Sequence, residues 1–77
     1  MNFLAGDIGG TKTLLAIFNW NGTLIKLHQQ RYSSKEWDSI EPMINHFLGN
    51  LPREIKAPKK GCLAIKRPKS SLLQYRL

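Results

Sequence analysis

The octet Gly6-Asp7-Ile8-Gly9-Gly10-Thr11-Lys12-Thr13 constrains this chain more than any other stretch, because it sets an acid and a glycine pair between two apolar runs. Asn2-Phe3-Leu4-Ala5 precedes it and Leu14-Leu15-Ala16-Ile17-Phe18 follows it, each with the length and apolarity of a buried strand. Strands joined by so short a segment must reverse, so a hairpin turn is predicted here. Gly9 and Gly10 can take positive φ without a Cβ penalty, which allows a tight reversal presenting bare backbone N–H groups. Consecutive amides of that kind suit phosphate oxygens. Thr11 adds a hydroxyl, Lys12 a cation, and Asp7, at the end of the first strand, a carboxylate able to hold the Mg²⁺ of a nucleotide through water. The same residues also serve an ordinary hairpin, and turn chemistry alone leaves both readings open.

A Walker A loop is the competing motif. From Gly6 the spacing leads to Lys12-Thr13, but Thr11 stands where that loop requires glycine. A Walker A loop also runs from strand into helix, whereas Leu14 to Phe18 is apolar, has no capping signal and is soon followed by Asn19-Trp20-Asn21-Gly22.

Seventy-seven residues make one small domain at most, and a chain of that size buries only about 60% of its unfolded surface. The single cysteine, Cys62, excludes an internal disulfide framework and is expected to be a reduced, buried thiol. No apolar run reaches the roughly 18 residues of a membrane span, and the first residues lack the basic flank and apolar stretch of a signal peptide. The expected location is the cytoplasm, with no membrane partner. The net charge of +7 raises a nucleic-acid reading, but its distribution speaks against one. Residues 1–65 hold eight of the twelve Lys and Arg and all five acids, while Lys66, Arg67, Lys69 and Arg76 stand in an acid-free tail.

In chain order, Asn2 to Gly6 is the first strand and Thr13 to Asn19 the second, both apolar on both faces and so expected inside a sheet covered on two sides. Asn21-Gly22 is a hairpin signal. Thr23 to Arg31 reads as a third strand nearer an edge, with Thr23, Ile25 and Leu27 on one face and Lys26 and His28 on the other, which makes His28 a surface residue. Tyr32 to Trp37 is a connection from which Trp37 can pack back onto the sheet. A helix follows, capped by Asp38 or Ser39, with Glu41 complementing its dipole and Pro42 early enough to cost no intrahelical bond. Ile40, Met43, Ile44, Phe47, Leu48 and Leu51 form its apolar stripe, His46 lies off it in solvent, and Pro52 closes it. Arg53 to Lys60 is a loop. Gly61 to Ile65 is a fourth strand which, arriving after a helical crossover, is expected to lie parallel to the first by a right-handed connection. The strand order is then 3-2-1-4.

The octet, placed between two apolar strands at the N-terminus, resembles the first phosphate-binding motif of the sugar-kinase, actin and Hsp70 superfamily, and within it that of the bacterial glucokinases. The helix with Pro42 and Phe47-Leu48, and the run Pro58-Lys59-Lys60-Gly61-Cys62-Leu63-Ala64-Ile65, extend the resemblance to about Ile65. It implies an α/β fold, the N-terminal part of a ribonuclease-H-like, actin-like ATPase domain. It also implies that Gly6, Asp7, Ile8, Gly9, Gly10, Thr11 and Lys12 hold ATP, with Asp7 serving Mg²⁺. The activity implied for the family is phosphorylation of glucose at its 6-hydroxyl, an entry step of glycolysis. Where glucokinases continue with an Ala-Gly-Pro type segment, this chain has Lys66-Arg67-Pro68-Lys69-Ser70-Ser71. Residues 1–65 are therefore expected to be a truncated or frameshifted N-terminal lobe and 66–77 an unstructured basic tail, leaving one sheet face and the edge of the fourth strand open to aggregation. Glu36, Asp38, Glu41 and Glu54 stand in a loop, a helix start and a connection, so no catalytic base is assigned. Two other classes are a small basic nucleic-acid-binding protein using the tail and Lys56, Lys59 and Lys60, and an interaction fragment that pairs by a strand with a full-length kinase.

Overall fold

Two apolar strands flanking the glycine turn set up the architecture. A computed structural model describes residues 1–65 and 71–76. The chain runs β1 (Asn2–Ile8), β2 (Lys12–Trp20), β3 (Leu24–Ser33), a 3-10 turn (Ser34–Glu36), α1 (Ile40–Gly49), β4 (Lys60–Ile65) and β5 (Ser71–Arg76). One mixed sheet has the order β3-β2-β1-β4-β5. β1 is antiparallel to β2 and parallel to β4, and β2 is antiparallel to β3. The expected 3-2-1-4 order and the parallel fourth strand are both present.

The tail is where the fold departs from expectation. Ser71–Arg76 is a fifth strand, antiparallel to β4 along its length, in place of unstructured chain. The β4 edge expected to be open is thus occupied, so a pairing partner would have to approach β3 or β5. Residues 66–70 and 77 of that tail lie outside the described residues.

One face of the sheet carries the core. Leu4 of β1, Leu15 and Ile17 of β2 and Leu63 of β4 are buried against Met43, Ile44 and Phe47 of α1, with Ile40, Leu48 and Leu51 packed at the margin. The helical stripe is the one its spacing predicts. α1 begins after Ser39, which makes no side-chain capping bond, and it ends at Gly49, where Asn50 Nδ2 donates to the His46 carbonyl at 2.7 Å. Coverage on two sides, expected from strands apolar on both faces, is not what is seen. The second face is closed locally by Phe3 stacked on Phe18, with centroids 5.9 Å apart, and among the described residues α1 lies on the other side only.

β3 corrects a second expectation. Its register to β2 shifts between Ile17 and Phe18, so that Leu27 is an extra residue. A bulge of this kind interrupts the period of two. Ile25 pairs with Asn19 and His28 with Ile17, which puts both on the helix side of the sheet. His28, expected at the surface, is half-buried and stacks on Phe47 at 5.7 Å, while Leu27 is 39% exposed. Cys62 is likewise half-buried where a buried thiol was expected.

Trp37 does pack back, and it brings His46 into a cluster. Tyr32 meets Trp37 and His46 edge-on at 5.5 and 5.6 Å, and its hydroxyl hydrogen-bonds His46 Nδ1 at 3.0 Å. His46 is exposed as expected but is held by this bond. Burial disfavours the phenolate and raises the Tyr32 pKa above 10.0. Above that pH the unfolded tyrosine releases its proton before the folded one does, so the contribution is complete below pH 10 and is lost as pH rises through the folded value. Urea midpoints at pH 8 and pH 11 should therefore fall less in Tyr32→Phe than in the parent, and an equal fall in both would overturn this.

Candidate functional site

Seven residues of the octet are the predicted site, and the strand period sorts them. Asp7 sits on the sheet face opposite the core, paired with Leu14. Gly6 and Ile8, its neighbours, face the other way, towards the helix. A Cβ on Gly6 would meet Leu63 Cδ2 at 2.6 Å and Leu15 Cδ2 at 3.0 Å, and Ile8 packs against the core cluster. Both residues therefore support the turn from the core side. The other five, Asp7, Gly9, Gly10, Thr11 and Lys12, line one open depression of about 190 Å³, together with Leu14, which sequence reasoning did not single out.

The turn differs in detail from the one expected. Neither Gly9 nor Gly10 has positive φ; among the described residues only Gly22 does, at 97° in the Asn21-Gly22 hairpin. Gly9 is required for a different reason. Its N–H donates to the Lys12 carbonyl at 2.9 Å, closing the turn, and a Cβ there would stand 2.8 Å from that same backbone oxygen. Gly9 N–H is thus committed within the turn, leaving the amides of Gly10, Thr11 and Lys12 as candidate donors to a ligand. A Cβ on Gly10 would meet nothing within 4 Å, so the fold itself does not require glycine there.

A residue passed over in the sequence holds this turn in place. Ser34 Oγ donates to the Gly9 carbonyl at 2.7 Å and lies 2.8 Å from Thr13 Oγ, and Ser34 N–H donates to the Thr11 carbonyl at 3.1 Å. Thr13 is fully buried, and this contact satisfies its hydroxyl. No local signal marks Ser34, which is 25 residues from Gly9 and 21 from Thr13. Only the hairpin register, which pairs Lys12 with Ser33, delivers it to the turn.

A single carboxylate beside backbone amides suits Mg²⁺, which keeps most of its waters and is held through one or two carboxylates and the ligand's phosphates. Among the described residues no group of three His, Cys, Asp or Glu side chains gathers to form an all-protein metal cage. No helix among them is long and apolar enough to cross a membrane.

A family profile described as glucokinase matches residues 4–70, most of the chain and all of the turn. The chain belongs to the glucokinase family. Relatives bearing the name glucokinase agree with the profile. One from Synechocystis sp. is 38% identical over 77 residues, covering 88% of this chain and 22% of the relative. One from Nostoc sp. is 38% identical over 69 residues, covering 84% and 19%, and one from Erwinia tasmaniensis is 34% identical over 65 residues with the same coverage. The chain thus spans about a fifth of the length of these glucokinases.

Proposed function

We propose that this chain carries part of the ATP-phosphate site of a glucokinase, built on the N-terminal part of a ribonuclease-H-like domain within residues 1–65. The observation that carries the reading is the convergence of Asp7, Gly9, Gly10, Thr11 and Lys12 on one depression at the end of β1. The amides and the Thr11 hydroxyl bind phosphate oxygens, and Lys12 offsets their charge. Gly6 and Ile8 serve that site by packing behind it. Asp7 would hold Mg²⁺ through water, and the ion would supply neutralisation of charge on the phosphates. In the whole enzyme the acceptor is the 6-hydroxyl of glucose.

Phosphoryl transfer also requires a base beside the acceptor and groups that orient the sugar. Of the five acids here, Asp7 lies at the turn, whereas Glu36, Asp38, Glu41 and Glu54 are exposed on the 3-10 turn, the approach to α1, α1 itself and the loop after it. The 77-residue chain is accordingly a weak Mg·ATP binder that does not phosphorylate glucose.

Both halves are testable on the purified chain. Mg·ATP should shift the amide resonances of Gly10, Thr11 and Lys12 and leave those of α1 in place, and a coupled assay with glucose should stay at background. Shifts confined to other residues would overturn the phosphate site, and glucose 6-phosphate formed above background would overturn the inactivity.

A further inference from the structure

Ser34 offers one hydroxyl proton, and the distances say where it goes. Its Oγ–H is given to the Gly9 carbonyl, so the 2.8 Å contact with Thr13 must be a bond donated by the Thr13 hydroxyl to Ser34 Oγ. Ser34 N–H is given to the Thr11 carbonyl. Ser34 thus fastens two of the turn's carbonyls, and Thr13, fully buried, fixes the rotamer that does so. Neither residue lines the depression.

The orientation of the peptide planes follows. No peptide bond among the described residues is cis, and in a trans peptide the C=O and the following N–H point in opposite directions. Fastening the Gly9 oxygen to Ser34 therefore turns Gly10 N–H away from Ser34, and fastening the Thr11 oxygen does the same for Lys12 N–H. We propose that Ser34, oriented by Thr13, is a positioning residue that selects the peptide orientation in which the Gly10 and Lys12 amides are presented to phosphate. The inference rests on the phosphate reading of the turn. It adds a residue from outside the motif, whose contribution is to spare the ligand the cost of ordering those amides.

The test compares the parent chain with Ser34→Ala, Ser34→Cys and Ser34→Thr, following amide exchange and Mg·ATP titration by NMR. In Ser34→Ala the Gly9 amide, bonded to the Lys12 carbonyl, should exchange about tenfold faster and Mg·ATP should bind about tenfold more weakly, the scale on which one hydrogen bond counts. The amides of Leu15 and Ile17 should keep their protection, which separates a loosened turn from an unfolded chain. Ser34→Thr should restore both properties. If Ser34→Ala fails to fold, Ser34→Cys, close in shape and a poor donor, must show the same local loosening. Unchanged exchange and affinity in the variants that fold would overturn the proposal. Faster exchange with unchanged affinity would reduce Ser34 to a structural role and overturn it equally. Absence of Mg·ATP binding by the parent would overturn the phosphate reading itself, and the inference with it.

Discussion

Gly9→Ala and Gly10→Ala, adjacent and equivalent on paper, should give opposite results. At Gly9 the new Cβ would stand 2.8 Å from the Lys12 carbonyl oxygen, and that oxygen belongs to β2 backbone that cannot swing aside as a side-chain end can. The turn must open, and the bond from Gly9 N–H to Lys12 O is lost with it. The expected cost is about 1–3 kcal/mol, together with loss of Mg·ATP binding. At Gly10 a Cβ meets nothing within 4 Å, and the backbone there does not have positive φ. Alanine is then neutral or stabilising by up to about 1 kcal/mol, because it restricts the unfolded chain. A methyl group beside the Gly10 amide nonetheless crowds a phosphate bonded to that amide, so Gly10→Ala should bind Mg·ATP several-fold more weakly while unfolding no earlier. Urea titration and calorimetric binding on both variants check this. A Gly10→Ala chain with parental affinity would mean that the depression is not where phosphate sits.

The second large effect is expected at Phe47. It is 2% exposed, lies in the middle of the helical stripe and stacks on His28 across the interface. Truncating a buried phenylalanine costs about 3–5 kcal/mol, and a core in a chain below about 80 residues rarely supplies more than that in total. Phe47→Ala should therefore abolish cooperative unfolding, leaving α1 detached and the core face of the sheet exposed. Trp20→Ala is the control. Its side chain is larger but 54% exposed, and its removal should change stability by no more than about 0.5 kcal/mol. Circular dichroism through a urea gradient distinguishes the two. A Phe47→Ala chain with a sharp transition near the parental midpoint would show that the helix–sheet interface is not what holds the fold.

The helical stripe and the turn between two apolar strands are legible from periodicity, since each rests on residues within a few positions of one another, and the parallel β4 follows from the helical crossover that separates it from β1. The errors share a cause of the opposite kind. The alternation that puts His28 at the surface is interrupted by a bulge opposite Ile17, and a bulge depends on the partner strand. The tail reads as unstructured because the apolar patterning stops after Ile65, whereas β5 forms because β4 offers an edge to pair with. Freedom to take positive φ is the usual reason for glycine in a turn, but at Gly9 the operative reason is a close approach of backbone to backbone.

The amino-acid sequence by itself determined that strands flank a glycine turn, that one helix packs by one face, and that the chain carries the glucokinase motif. The first two follow from local spacing and residue chemistry, and the third from resemblance to the family. Tertiary structure alone decided which octet residues face the depression and which face the core, why Gly9 must be glycine, and that Ser34 fastens the turn. The facing of the octet depends on strand register, the requirement at Gly9 on the closed turn that brings its backbone against the Lys12 carbonyl, and the role of Ser34 on contacts spanning more than twenty residues, where hydrogen bonds form only after the hairpin has closed.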